Sequence, residues 1–281
     1  FEFSATYRNR DHDFKYELSA NLSTLRNRVT SLGFGTDSYI SGAYITNVGQ
    51  EIGQFYGWAY EGIARTQEDL DNHATQEGAQ IGDCLYKDIS GPDGKPDGKV
   101  DANDQVVLGS GMPKIHFGLN ARFEYKRFDL SIATFGALNY HVSDDIYNSL
   151  NSCYGWGHKE VGMLDANRFS EDGSTYLSNV PRTYVTNSAS LGWNDLFSSR
   201  KIQNAAYWKI ANVELGYNFP NEWFGKYVSD VRFYVSAQNL HTFTGYHGYN
   251  VDYAGGTFTP GYNFCSYPTA RTFMCGVHFT F

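Results

Sequence analysis

The chain has 281 residues, of which 41% are hydrophobic and 17% are aromatic, so it can bury a core and is not expected to be disordered. Its formal net charge of −8 and the lack of any Lys/Arg run exclude a nucleic-acid partner, because binding to phosphate requires a basic stripe. Abundant Tyr, Phe and Gly with only 7 Pro favour β-strands joined by flexible turns. No run of about 18 apolar residues occurs, so a membrane role would have to use strands.

Apolar and polar residues alternate with a period of two along much of the chain, which places them on opposite faces of predicted strands. Residues 1–7 already alternate in this way. The next apolar sets are Phe14, Tyr16, Leu18, Ala20 and Leu22, then Ile115, Phe117, Leu119, Ala121, Phe123 and Tyr125, then Phe128, Leu130 and Ile132. The later sets are Ala211, Val213, Leu215, Tyr217 and Phe219, then Val231, Phe233 and Val235, and finally Phe273, Cys275, Val277, Phe279 and Phe281.

The lengths of the connections distinguish between two all-β architectures that both show this alternation. Short links at 9–13, 126–127 and 220–230 alternate with long links at 24–114, 139–206 and 241–270. Tight periplasmic turns and long extracellular loops are typical of an antiparallel transmembrane β-barrel, whereas a sandwich has no reason to sort its loops. The long link 24–114 must contain an even number of crossings, so its segments 54–65 and 82–88 either add two strands or form a hairpin within the loop.

Seven clear strands are too few to close a large barrel, and an open sheet edge in lipid would leave backbone groups unpaired. We therefore expect the strands that complete the barrel to lie outside residues 1–281. Phe281 is expected to be the C-terminus of the whole polypeptide, at the periplasmic rim. Its strand is predicted to pair with the strand at Val231 on one side and with a first strand from outside the chain on the other.

Several short motifs, taken in order, resemble the C-terminal region of SusC-like TonB-dependent transporters. The motifs are segments 52–57 and 61–63, Gly82-Asp83 with 86–88, the loop rich in Asp and Gly that ends at Asp104 with 107–109 after it, segment 208–217, Gln238-Asn239-Leu240 with 242–244, and 267–281. The resemblance implies a 22-stranded barrel in the bacterial outer membrane, with a plug, a TonB-binding box and a SusD-like lipoprotein lid. Residues 1–281 would then be the C-terminal part of that barrel, with the plug and the N-terminal strands outside this chain. The resemblance also implies energy-coupled import of oligosaccharides or peptides.

The loop 93–104 resembles the calcium loop of EF-hand or dockerin domains, which presents oxygen ligands at fixed spacing around a Gly. Lys95 departs from that pattern. An alternative register begins at Asp88 and Ser90 with Pro92 as an insertion, and an ion-free acidic surface loop explains the same composition. In the first register, the predicted Ca²⁺ ligands are the side chains of Asp93, Asp97, Asp101 and Asp104 and the carbonyl of Lys99.

The long loops carry aromatic rings that are candidates for stacking on a sugar or holding a peptide, although most of them are expected to pack the loops. They are Tyr154, Trp156, Trp193, Tyr246 and Tyr249, with Tyr253 and Tyr262 as further candidates. On the polar face of the strands, charge pairs on a barrel wall or contacts with a plug are expected for Lys15, Glu17, Arg122, Glu124 and Glu214.

The sequence contains no HExxH, GxSxG or Walker motif, so no enzyme is predicted. Cys275 is predicted to act as a small hydrophobic residue in a strand. The other three cysteines, Cys84, Cys153 and Cys265, lie in predicted loops and either form one disulfide or remain buried thiols. The competing hypotheses are a secreted, calcium-dependent, glycan-binding β-sandwich and a surface hydrolase.

Overall fold

A computed structural model of the chain describes residues 1–152, 168–183, 189–224, 228–252, 255–264 and 266–281. The long strands are β1 (Glu2–Asn9), β2 (Phe14–Thr24), β9 (Ile115–Tyr125), β10 (Phe128–Leu138), β13 (Tyr207–Asn218), β14 (Asp230–Thr244) and β18 (Thr272–Thr280). The shorter strands are β3 (Ser38–Ser41), β4 (Tyr44–Asn47), β5 (Gln54–Trp58), β6 (Tyr60–Ile63), β7 (Cys84–Tyr86), β8 (Gln105–Ser110), β11 (His141–Asp144), β12 (Gln203–Asn204), β15 (Gly255–Gly256), β16 (Thr259–Pro260) and β17 (Tyr262–Asn263). The α-helices are α1 (Gln67–Asn72) and α2 (Asp145–Leu150), and no described helix is long and apolar enough to cross a membrane.

The seven long strands form one antiparallel sheet in the order β1-β2-β9-β10-β13-β14-β18. Short turns close the pairs β1–β2, β9–β10 and β13–β14, so all three lie at one end of the sheet, and the long loops lie at the other. β2 pairs directly with β9, and β6 and β7 form a hairpin within the intervening loop, which confirms the hairpin interpretation of that loop. β18 pairs with β14 through Val231 and Phe279, as predicted.

One face of this sheet is apolar across all seven strands. The side chain of Leu18 is 42% exposed and that of Leu215 is 45% exposed, and no second sheet within the described ranges covers them. A soluble sandwich would bury this face against another sheet, so the coordinates contradict the sandwich alternative. A single register row across this face contains Tyr7, Leu18, Ala121, Ile132, Val213, Ala237 and Phe273.

The predicted alternation of β13 changes phase at Ala211. Asn212 pairs with Ala133, but Ile210 pairs with Thr134, so Ala211 is the extra residue of a β-bulge. A bulge inserts one unpaired residue and reverses the inside–outside assignment beyond it. Ala211 therefore has no partner in the β10 register and its lipid-facing position stays a prediction, whereas Val213 and Leu215 keep their predicted face.

The long loops fold against one another at the open end of the sheet. Gly57 lies so close to the chain at Phe197 that an added Cβ would be 2.0 Å from the Phe197 carbonyl oxygen. Gly111 has the same relation to Pro260, at 1.9 Å. Only glycine allows such a close backbone approach, and these two contacts join loop 25–114 to both of the other long loops.

Buried residues form two apolar clusters among these loops. The first lies where β10 and β13 meet the long loops, and it consists of Ala137, Tyr140, Val142, Ala205, Tyr207, Tyr246 and Val251. The second is centred on Cys84, Tyr86 and Val100, with Trp58, Tyr60, Ala74, Trp193 and Leu196 packed against it. Cys84 is thus a buried thiol and Cys275 is exposed on the apolar face, whereas Cys153 and Cys265 lie outside the described residues.

The two faces of β2 make a test possible with neighbouring residues. An Arg at position 18 would enter the hydrocarbon, at a cost of about 2–4 kcal/mol near the middle of a bilayer. In the full-length protein, Leu18→Arg should therefore reduce the fraction that assembles in the outer membrane, measured as the heat-modifiable band. Ser19→Arg, on the polar face, should leave that fraction close to the wild-type value, and an equal loss in both variants would contradict the assignment of faces.

Candidate functional site

The polar face of the sheet carries an ion-pair cluster near the end with the short turns. The Arg232 guanidinium donates to Asp129 Oδ1 at 3.0 Å and to Glu214 Oε1 at 2.8 Å, and it lies over the ring of Tyr234 at 5.4 Å. Gly216 leaves the space that this guanidinium occupies, because an added Cβ would be 2.4 Å from it. Charged side chains at this density suit a face in contact with water.

A second set of charge pairs lies on the same face in β1, β2 and β9. Arg8 pairs with Glu17 at 2.8 Å, and Arg122 pairs with Glu124 at 3.1 Å. The prediction of charge pairs on the wall is confirmed for Glu17, Arg122, Glu124 and, through Arg232, for Glu214. Lys15 lines a hollow of about 320 Å³ together with these groups.

The acidic loop after β7 is organised by hydrogen bonds between carboxylates and backbone N–H groups. Asp88 accepts from Asp97 N and Gly98 N, and Asp101 accepts from Asn103 N at 2.7 Å. The described residues contain no group of three or more His, Cys, Asp or Glu side chains that could hold a metal ion. The calcium site assigned to Asp93, Asp97, Lys99, Asp101 and Asp104 therefore stays a prediction.

Asp104 is the most buried carboxylate of that loop, with no exposed surface. Its two oxygens accept from the N–H groups of Ile89, Ser90 and Asp101 at 2.7, 2.9 and 2.7 Å. Burial alone would raise the pKa of Asp104, but these three backbone donors hold it below its usual value. Asp104 thus acts as the internal cap of the loop, with Asp101 completing a reciprocal capping box.

Two of the predicted substrate-binding residues lie in the packing between loops. The Trp193 indole N–H donates to the Glu77 carbonyl at 2.8 Å, and its ring packs against Tyr86. Tyr246 is buried and donates its hydroxyl hydrogen to Asp144, and burial together with this carboxylate raises its pKa. Both side chains connect loops that are distant in sequence.

Other predicted substrate-binding rings are accessible. Tyr249 is 65% exposed in the loop between β14 and β18, and Tyr262 is partly exposed in the same loop. Tyr154, Trp156 and Tyr253 lie outside the described residues. Contact between any of these rings and a substrate stays a prediction.

Sequence reasoning missed a buried polar network that joins the loops. Asp83 has no exposed surface, accepts from Arg182 Nε at 2.6 Å and from Asn194 Nδ2 at 2.7 Å, and is separated from each by about 100 residues. Lys209 of β13 similarly pairs with Asp252 at 2.5 Å. No local spacing signals such pairs, because each partner appears in the sequence as an ordinary polar loop residue.

The loops also enclose two cavities. The larger, of about 560 Å³, has an apolar floor that includes Leu70, Ile81 and Leu85, with Gln67 and Gln80 among its polar lining residues. The smaller, of about 240 Å³, is lined by the side chains of Asn148, Asn151, Asn179, Arg200 and Lys201, among others. Amide-rich cavities of this size can hydrogen-bond to sugar hydroxyls or to peptide groups.

Comparisons with known proteins agree with this geometry. The sequence is 29% identical to TonB-dependent receptor P3 of Formosa agariphila over 100% of this chain and 28% of that receptor. It is 24% identical to TonB-dependent receptor SusC of Bacteroides thetaiotaomicron over 96% of this chain and 25% of SusC. The predicted resemblance to SusC-like TonB-dependent transporters is confirmed. No family model matches the chain, which spans less than a third of the length of these SusC-like relatives.

Solved structures show the same fold. The RagAB peptide transporter superposes with a TM-score of 0.76 at 20% identity, covering 98% of this chain and 28% of that one. The RagAB importer in its "open-open" state gives a TM-score of 0.71 at 22% identity, with 100% and 28% covered. The chain is therefore all-β, with the antiparallel strands of an outer-membrane barrel, and the relatives that it matches are receptors and transporters rather than enzymes.

The capping role of Asp104 in this loop predicts a pH dependence. Because its pKa is lowered in the folded protein, its stabilising effect is present above the usual Asp value of about 3.9 and is lost as the pH falls through the folded value. Asp104→Ala should reduce the opening free energy of the loop by about 2–4 kcal/mol, since three partly buried N–H groups lose their acceptor. Hydrogen exchange at Ile89, Ser90 and Asp101 measures this change.

Asp93→Ala is the matched control, because Asp93 is exposed in the same loop. It should leave the exchange rates unchanged, with or without a calcium chelator. Strong calcium dependence, together with equal effects of both substitutions, would contradict the capping account and support the calcium site.

Proposed function

We propose that this chain supplies part of the wall and three extracellular loops of a TonB-dependent importer in the outer membrane. The supporting observation is the seven-stranded sheet, whose continuous apolar face lies opposite a face of paired charges. In a transmembrane barrel, the first face contacts lipid and the second faces a polar lumen. Residues 1–281 would then be the C-terminal part of the barrel, and the plug and other strands belong to the rest of the polypeptide.

The proposed transport requires parts that lie outside this chain. Energy reaches the barrel through TonB and the plug, and a SusD-like surface lipoprotein covers the extracellular mouth. The matches to SusC and to RagAB, which cover 96% and 98% of this chain, support this assembly. Within the chain, the glycine contacts that join the three long loops give the mouth a packed surface on which such a partner can rest.

The proposed substrates are oligosaccharides or peptides. The RagAB neighbour is a peptide transporter, which supports peptides. Exposed rings such as Tyr249 and the amide-rich cavity between the loops suit either class, because both sugars and peptides combine apolar faces with hydrogen-bonding groups.

An uptake assay tests the proposal. Cells that carry the full-length protein should take up one labelled class, oligosaccharide or peptide, and should lose this uptake on gene deletion or on collapse of the proton gradient. Tyr249→Ala should raise the half-saturation concentration roughly twofold to tenfold, as expected for the loss of one ring contact. The control Tyr39→Ala removes a similarly exposed ring from β3 and should leave uptake unchanged.

Uptake that persists in the deletion strain, or that is independent of the proton gradient, would contradict the transport function. Uptake that is intact in Tyr249→Ala would contradict only the role of that ring.

A further inference from the structure

The short-turn end of the sheet carries a band of aromatic rings on the apolar face. Phe14, Tyr125, Phe128 and Tyr217 lie in one register row on four neighbouring strands. Phe128 and Tyr217 are 4.8 Å apart, and the band continues through Phe219 to Trp223 with ring separations of 5.0 and 6.0 Å. Such bands lie at the level of the lipid headgroups in membrane barrels.

Two cations interrupt this band at its centre. The β9–β10 turn consists of Lys126 and Arg127, between the exposed rings of Tyr125 and Phe128. Lys126 has a φ of 54°, and its ammonium lies 5.3 Å from the centre of the Tyr125 ring. Both basic side chains are exposed.

Neither of these cations makes an ion pair with a residue in the described parts of the chain. Other arginines at the same end, Arg8, Arg10 and Arg232, are each paired with a carboxylate. The β1–β2 turn contains Asp11 and Asp13 as well as Arg10, so it lacks an excess of positive charge. Among the described residues of the lipid-facing rim, the β9–β10 turn therefore presents two adjacent cations without an ion-pair partner.

We propose that this turn binds the phosphodiester headgroup of an anionic phospholipid in the periplasmic leaflet of the outer membrane. The flanking rings of Tyr125 and Phe128 belong to the lipid-facing row. A headgroup bound at the turn would therefore be attached to acyl chains that cover this face. Lys and Arg near a membrane surface extend towards phosphate, and the Arg guanidinium can bond to two of its oxygens. The proposal rests on the outer-membrane location and is independent of what is transported.

Native mass spectrometry of the delipidated full-length protein in detergent tests this site. Phosphatidylglycerol and phosphatidylcholine with identical acyl chains are added in turn, and the bound fraction is measured. We expect the wild type to prefer phosphatidylglycerol, and Lys126→Gln/Arg127→Gln to lower that preference by at least about tenfold. The charge-conserving pair Lys126→Arg/Arg127→Lys should retain most of it.

The matched control is Lys95→Gln/Lys99→Gln, which removes two exposed lysines from the loop at the opposite end of the sheet. This variant should bind phosphatidylglycerol as the wild type does. Equal binding of the two lipids by the wild type, or an unchanged preference in Lys126→Gln/Arg127→Gln with a normal heat-modifiable band, would overturn the proposal.

Discussion

Backbone hydrogen bonding between the seven long strands is the constraint on which the rest of this structure depends. In hydrocarbon, each unpaired N–H or C=O group costs several kcal/mol, so every strand that crosses must pair along its whole length. β2 and β9 meet this condition in full register from Phe14 to Thr24, although a long loop separates them in sequence. That register aligns the apolar residues of all seven strands on one face and the charged residues on the other.

The division into two faces also decides which polar side chains are paired within the protein and which groups a solute can reach. On the polar face, Arg232 satisfies two carboxylates in a space that only Gly216 leaves open. At the loop end, buried polar groups such as Asp83 and Asp104 are saturated by donors from distant segments or from the backbone. The acidic residues therefore serve mainly to hold loops in place, and the accessible groups are the exposed rings and the cavities.

The sequence predicted the strands, and it predicted that short turns lie at one end of the sheet and long loops at the other, because both features depend on local patterns. Alternation around Leu18 or Leu215 reflects the pleat of a single strand, and link lengths can be counted directly. The bulge at Ala211 was missed because the apolar pattern continues through it, and only the register with β10 shows the change of phase. The particular partners of Trp193 and Tyr246 in the loop packing were not predicted, since they lie about 100 residues away in sequence.

The central claim is that the apolar face lies in lipid and the polar face in water. Spin labels placed singly at Ile132 and Ser131, neighbours on opposite faces of β10, test it in the full-length protein in bilayers. The label at position 132 should be relaxed mainly by oxygen, which concentrates in the hydrocarbon, and the label at position 131 mainly by a water-soluble nickel chelate. Preferential relaxation of the label at position 132 by the nickel chelate would show that water covers this face and would contradict the account.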